Sequence, residues 1–453
     1  MNVLVEGFDP DARALARFLA GEGHAVRIAS PAKEIASVAE LRGRGITVEP
    51  LSDLDHDPGP ADVAYLDVWT PEIAPRVQRL RAQGTRVSCL GDLLLERWPG
   101  TTIGITGTAG KTTTTSFVAS ILRAGGTDVV VSAGARAGNL WPTGELLDRL
   151  AGTEPDNQVL LLELTSSHLA FMHYSPRIAA IVSFWSDHLE LHGDLEHYRA
   201  AKATIAVHQS VNDSLILNAD DAASDFSAEA PGQLHEFSLQ RTVRRGAYRR
   251  SGSDLVLVVP PGSEVSVGVL PTAAVHPGNI LAAAAIAAAA GASPPDVVTG
   301  IAGAPSLRYR ARPVHTLRGV PVVDDGMAAT PRKTQALLEG YPDRSIVLIA
   351  GGVDDAGGGP VHATPEESAL LASACDEIAR VARSVVVFGV AGARLRALLE
   401  ERGVDVLATD DLAAAAAAAA GCAVGAAAIV FSPLFPVSLE ERSGFEALVA
   451  GHG

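Results

Sequence analysis

The 453-residue chain is short of aromatic side chains, of cysteine and of positive charge. Aromatics are only 5% of it although 47% is hydrophobic. Alanine and glycine carry much of that fraction, so sizeable cores are available but from small side chains. Lysine and arginine number 36 against 52 aspartates and glutamates, a formal charge of −16. That balance argues against nucleic-acid and anionic-membrane partners, which need basic surface, while leaving room for a local basic pocket. The three cysteines, Cys89, Cys375 and Cys422, are far apart and lack metal-ligand spacing. They read as buried small hydrophobes in a reducing compartment. The longest apolar run, "ILAAAAIAAAAGA" from Ile280, falls short of the roughly 20 residues of a membrane span. The opening "MNVLVEGFDP" has no basic n-region and reads as a first strand, so a soluble cytoplasmic protein is expected.

What is present is alternation. "NVLVEG", "HAVRIAS", "ADVAYLDV" and "TRVSCLG" read as strands separated by helical segments, the pattern of a parallel sheet with helices on its faces. Trp98-Pro99-Gly100 punctuates a boundary. A second unit holds "NQVLLLELTSS", "IAAIVSFWSDH" and "SLILNADD", apolar runs ending in polar residues as buried parallel strands do. From Leu234 to Val267 β-formers and turn residues predict a small antiparallel patch. Within it "RTVRRGAYRR" holds five arginines, a solvated turn or an anion contact. A third unit follows "AGAPSLRYRARP", with strands "VPVVDD", "SIVLIAGG", "SVVVFG" and "AAIVFSP". The expected fold is α/β in three domains: residues 1–99 Rossmann-like, 100–304 a P-loop ATPase-type parallel sheet, and 305–453 Rossmann-like. No solenoid repeat is visible.

The chemistry concentrates in "TIGITGTAGKTTTT" from Thr102. Gly107 and Gly110 permit backbone angles that gather N–H groups into one concavity, and the following helix adds its positive end. Lys111 is placed to reach terminal phosphates and Thr112 to offer a hydroxyl to Mg²⁺. Ile105 stands where the strict Walker pattern has glycine, so the loop is a T-G-T-x-G-K-T variant. Glu163 closes "LLLE", a place where a carboxylate binds Mg²⁺ directly or through water. Asp187-His188 closes another apolar strand, and Lys202 follows in "YRAAK". A guanine-reading N-K-x-D sequence is lacking, which disfavours a GTPase.

T-G-T-x-G-K-T, E-L-T/S-S, D-H, Y-R-A-A-K and N-A-D-D, in this order, resemble the Mur ligases, closest to the branch adding glutamate to UDP-N-acetylmuramoyl-L-alanine. The resemblance covers most of the chain and is most specific in its centre. It implies an ATP-dependent amide ligase that activates a small-molecule carboxylate as an acyl phosphate for attack by an amino acid or amine. It implies nucleotide contacts from Gly107, Thr108, Gly110, Lys111, Thr112, Thr113, Asn279, Arg308 (the hinge arginine) and Asp325 (on ribose). It implies Mg²⁺, with two ions expected, held by Thr112, Glu163, His188 and a carbamylated Lys202. Lys111, His188 and Lys202 are the expected catalytic residues, and Asn139, Ser438 and Phe445 the expected substrate contacts.

The ends depart from the family. His276 stands for the first asparagine of the adenine motif, and Leu307 for a histidine before Arg308. "DDGMAATP" lacks a lysine, and "GGVDDAGG" carries aspartate where a basic residue normally meets the amino acid's carboxylate. The glycine-rich UDP loop becomes "GFDPDA", with Asp9 and Asp11 near the expected diphosphate. These departures favour a ligase repurposed for another carboxylate and amine in specialised metabolism. The alternatives are the standard muramoyl-nucleotide ligase of peptidoglycan synthesis and a non-catalytic nucleotide-binding relative.

Overall fold

The computed structural model describes residues 1–30, 35–132, 139–151, 158–229, 231–259, 262–269, 275–353 and 365–451. These form two compact bodies, one of residues 1–270 and 278–305, the other of 271–277 and 306–453.

The first body holds two sheets. One consists of β1 (Asn2–Glu6), β2 (Ala25–Ser30), β3 (Thr47–Pro50), β4 (Val63–Tyr65) and β5 (Arg86–Ser88), all parallel in the order β3-β2-β1-β4-β5. The order reverses between β1 and β4, the crevice where open α/β sheets bind ligands. The helix Pro10–Gly21 starts on a proline and is capped by Asp9, whose carboxylate accepts the Ala12 N–H at 2.8 Å. Its Leu15, Ala16 and Leu19 are buried.

The other sheet has nine strands: β6 (Thr102–Thr106), β7 (Val129–Val131), β8 (Val159–Glu163), β9 (Ile178–Ile181), β10 (Ser214–Asn218), β11 (Gln233–Ser238), β12 (Gly246–Arg250), β13 (Asp254–Val259) and β14 (Ser263–Val269). From β7 through β8, β6, β9, β10 and β11 to β12 neighbours run parallel. Only β12, β13 and β14 pair antiparallel, so the expected antiparallel patch is smaller than 234–267 and β11 extends the parallel sheet. Every residue of β6, β8 and β9 is buried, as a sheet covered on both faces requires. Arginines of "RTVRRGAYRR" bond nearby segments of the same body: Arg241 donates to the Ala219 carbonyl, Arg249 to that of Leu239, and Arg250 pairs with Asp254.

The second body holds β15 (Arg312–Leu317), β16 (Val320–Asp324), β17 (Ile346–Gly351), β18 (Ala382–Phe388), β19 (Val406–Thr409) and β20 (Ala428–Leu434), in the order β15-β16-β20-β17-β18-β19. Only β15 is antiparallel to its neighbour. Alternate residues enter opposite cores: Leu348, Val385 and Val430 on one face, Val347, Val386 and Phe431 on the other. The second face is covered by the helix Leu412–Cys422, whose Ala415, Ala416 and Ala419 are buried. No helix among the described residues is long and apolar enough to cross a membrane.

Candidate active site

The glycine loop joins β6 to the helix Lys111–Ala124. Gly110 caps that helix at φ +82°, an angle that favours glycine, and a Cβ there would lie 2.4 Å from Asn279 Oδ1 and displace that side chain. At Gly107 a Cβ would meet Val182 Cγ2 at 2.7 Å. The loop is tied to the chain after β9. Thr108 N–H donates to the Ser183 carbonyl at 3.0 Å, and Ser183 Oγ bonds both the N–H and the carbonyl of Ala109. Lys111 folds back on the loop, its Nζ donating to the Gly107 carbonyl at 2.8 Å. Thr113 is half-buried in the first turn.

Thr112 and Glu163 come together. Both are 1% exposed, and the Thr112 hydroxyl donates to Glu163 Oε1 at 2.9 Å. Asn139 joins them, its Oδ1 3.3 Å from the same hydroxyl, and Leu140 N–H donates to Glu163 Oε2 at 2.8 Å. The carboxylate is thus held at both oxygens beside a helix N-terminus, where negative charge is favoured.

Lys202 belongs to a neighbouring cluster. Its ammonium is 1% exposed, 3.5 Å from Thr106 Oγ1 and 4.8 Å from the ring centre of Tyr198. The Tyr198 hydroxyl lies 2.9 Å from Thr108 Oγ1, so one fully buried tyrosine touches both the lysine and the loop. Tyr198, Thr106 and Ser183 escaped the sequence reading. For Tyr198 a signal existed, because it precedes Lys202 by four residues and shares its helix face. His188 follows β9 in the left-handed region at φ 53°, with its side chain 46% exposed beside Asp187. Among the described residues no three His, Cys, Asp or Glu side chains converge as a ready-made metal site. The hard oxygen donors Thr112 and Glu163 still suit Mg²⁺, which at phosphoryl-transfer sites keeps much of its water and takes only one or two carboxylates.

In the second body Arg308 lies over the Tyr309 ring at 5.4 Å, within a segment where Tyr309 (φ 63°) and Ala311 (φ 49°) adopt angles that non-glycine residues rarely hold. Asp325 accepts Ala311 N–H at 3.1 Å and the Ser432 hydroxyl at 3.0 Å. Burial pushes its carboxyl up to about 7 against these bonds, and burial raises that of Asp324 to about 6. Two expected substrate contacts have other tasks. Ser438 caps the helix Leu439–Ala450 in a reciprocal capping box with Glu441. Phe445 is fully buried, 4.4 Å from the Phe431 ring, with no surface left for a substrate. The aspartates of "GGVDDAGG" lie outside the described residues.

The fold and this loop define a nucleotide-using α/β enzyme. Residues 105–287 match the Mur ligase middle domain. The UDP-N-acetylmuramoylalanine–D-glutamate ligase of Symbiobacterium thermophilum is 34% identical over 363 residues, 75% of each chain. That of Koribacter versatilis is 29% identical over 91% of this chain and 87% of the relative. Among solved structures, MurF from Acinetobacter baumannii shares the fold at a TM-score of 0.60 and 18% identity, covering 99% of this chain and 89% of that one. A pseudomurein peptide ligase type C from Methanothermus fervidus does so at 0.59 and 15%, covering both chains fully. The chain belongs to the Mur ligase family, and is thereby an ATP-dependent ligase that forms C–N bonds.

Proposed function

We propose that the protein joins glutamate to the alanine carboxylate of UDP-N-acetylmuramoyl-L-alanine in peptidoglycan synthesis. The relatives' names support this better than the repurposed ligase favoured from sequence, and support the D-enantiomer of glutamate. In this reading residues 1–99 take the carboxylate substrate, 100–304 the ATP and 305–453 the amino acid. The observation that carries it is the buried Thr112–Glu163 pair beside the Lys111 loop.

The substrate carboxylate oxygen attacks the γ-phosphorus of ATP. The bond to the β-bridging oxygen breaks, ADP leaves and an acyl phosphate forms. The glutamate nitrogen then attacks the acyl carbon, inorganic phosphate departs with the C–O electron pair, and a proton leaves the nitrogen. Lys111 swings from the Gly107 carbonyl to the phosphates and offsets charge on the transferring group. Gly107, Thr108, Gly110 and Thr113 hold the phosphates with backbone and hydroxyl groups. Asn279 contacts adenine, Asp325 ribose, and Arg308 acts at the hinge. Asn139 keeps Thr112 and the substrate in register. Thr112, Glu163, His188 and a carbamate on Lys202 would hold two Mg²⁺, which supply charge neutralisation. A carbamate would turn the buried Lys202 cation into an anion, whose charge a dication would offset. The test is ADP release with UDP-N-acetylmuramoyl-L-alanine and each glutamate enantiomer. Turnover with one enantiomer is expected, and none with either would sink the proposal. Intact-mass analysis should show one added CO₂, absent in Lys202→Ala.

A further inference from the structure

The acidic composition leaves room for a local basic pocket, and one lies away from the glycine loop. A cleft of about 330 Å³ opens between the edge of the first sheet and the chain that follows β8. One wall is residues 84–87, which lead into the edge strand β5, with Arg81 from the helix Pro75–Ala82. The other is Ala170 and His173, just beyond the helix Ser166–Leu169. All of these belong to the first body. The charged or ionisable side chains lining the cleft, Arg81, Arg86 and His173, are all of the basic type, and no carboxylate lines it. In a chain of formal charge −16 that is a marked local reversal. The cleft shares no lining residue with the Lys111 loop, with the Thr112–Glu163 pair or with the Lys202 cluster.

The acids stand behind these side chains and aim them. Asp92, with no exposed surface, accepts Arg86 Nη2 at 3.1 Å and His173 Nδ1 at 3.1 Å. An ionised carboxylate only accepts, so the Nδ1 proton faces Asp92 and His173 Nε2 is left for a ligand. Glu72 accepts both Nη atoms of Arg81, at 3.4 and 3.3 Å, and Glu96 lies 3.5 Å from Arg86 Nη1. Arg81 Nη2 also reaches the Ala170 carbonyl on the opposite wall at 3.4 Å. The rings of Phe171 and Tyr174 lie 6.0 and 5.4 Å from the guanidinium carbons of Arg81 and Arg86. Each guanidinium is thus fixed by an acid and a ring, yet among the described residues neither Nε has an acceptor. At long range the acids cancel the cations, so what remains is short-ranged: forked, charge-assisted bonds from planar groups already in place. A carboxylate fills one such fork. A phosphate ester has three acceptor oxygens, enough for two forks and an imidazole. The volume exceeds that of phosphate alone and falls in the range of small-metabolite sites. We propose that this cleft is a second anion site, taking the phosphate dianion of a small phosphomonoester on Arg81, Arg86 and His173. A ligand there bridges β5 to the segment after β8 and so joins the two sheets of the first body.

The experiment is calorimetric titration of the whole protein with glycerol 3-phosphate and, separately, with inorganic phosphate, at fixed ionic strength in chloride. It is run in a Lys111→Ala background, so that binding at the glycine loop does not enter. Glycerol 3-phosphate should still bind there, and more tightly than inorganic phosphate. Adding Arg81→Gln should weaken it about tenfold, the scale of a lost charge-assisted hydrogen bond. Adding Arg86→Lys, which keeps a cation beside Asp92 but loses the fork, should weaken it roughly three- to tenfold. The Arg81 side chain is 39% exposed and Arg86→Lys leaves Asp92 its countercharge, so both should fold, as thermal melts would verify. No binding of either probe in the Lys111→Ala background, or binding that neither cleft substitution weakens, overturns the site. Inorganic phosphate binding as tightly as the ester overturns the ester as its ligand. The outcome does not depend on which amino acid the enzyme couples, so failure of the proposed function leaves this site to stand or fall alone.

Discussion

Asp92 in the first body is fully buried and Asp325 in the second is half-buried, and their carboxyls are shifted in opposite directions. Burial alone would raise both. Asp92 accepts His173 N–H at 2.7 Å, Tyr174 N–H at 3.1 Å and the Ser88 hydroxyl at 2.8 Å, and Arg86 lies 3.1 Å away. Burial is its largest influence, but the bonds from His173 and Ser88 outweigh it and hold the carboxyl below its usual range. Asp325 accepts one N–H and one O–H, too few, and burial wins. The number and charge of the donors, not depth, decide whether a buried carboxyl stays ionised.

The largest expected effect breaks the catalytic end. Lys111→Ala should lower ATP-dependent turnover on the order of 10³-fold, the scale for removing a charge that stabilises a transition state. Coupled ADP release measures it, and full retention would remove the phosphate-cradle assignment. Stability should barely move, because Lys111 makes its bond to a loop carbonyl rather than within a core.

Asp325→Asn comes next and tests the second body. A carboxyl moved from 3.8 to about 7 forfeits roughly 4 kcal/mol when it ionises in the folded state. Its folded value is raised, so between pH 4 and 7 the folded protein binds more protons than the unfolded, and stability falls as pH rises. Denaturant melts at pH 5 and 8 should show that slope in the wild type and a flatter one in the variant. The amide mimics the protonated acid at its two donors. Asp324, raised to about 6, should leave a residual slope.

The contrast between these carboxyls marks what sequence reveals. The glycine loop and Glu163 stood out because each breaks an apolar pattern at a strand end, whereas Lys202, inside the helix Leu195–Val207, stood out only through the Y-R-A-A-K resemblance. The central strands were legible because burial on both faces makes their apolar runs continuous. The unread strands, β3, β7, β15 and β19, all lie at sheet edges. β3, β15 and β19 are half-exposed and β7 has three residues, so none shows a continuous run. Partners from distant segments stayed invisible too. Nothing local says that Leu140 N–H meets Glu163, or that Ser432 meets Asp325. Phe445 was misread for the related reason that a motif position says nothing about which way a helix turns it.

Asp92→Asn sharpens the comparison from the other side. Its folded carboxyl is depressed, so its stabilisation is present above the unfolded pKa and lost as pH falls, the reverse of Asp325. The amide keeps one acceptor for His173 and Tyr174 but sets an N–H₂ against Arg86. A loss of about 2 kcal/mol at pH 7 is expected, with kcat unchanged and a shallower loss of stability toward acid. A fall in kcat at full stability would mean that this hub, which ties the helix Leu90–Arg97 to the loop at His173, also serves the chemistry.

The smallest effect separates a cap from a substrate contact. Ser438 Oγ accepts Glu441 N–H at 3.1 Å and donates to the Glu441 carboxylate at 2.7 Å, while Ser438 N–H donates to that carboxylate at 2.9 Å. Its hydroxyl proton and one lone pair are therefore committed within the first turn of the helix Leu439–Ala450. Ser438→Ala should cost about 1 kcal/mol in denaturant melts, the usual value of an N-cap, with the KM for glutamate unchanged. Ser438→Asp, which keeps a capping acceptor but sets its charge against Glu441, should recover only part of that loss. A raised KM for glutamate in Ser438→Ala at wild-type stability would return the hydroxyl to the substrate.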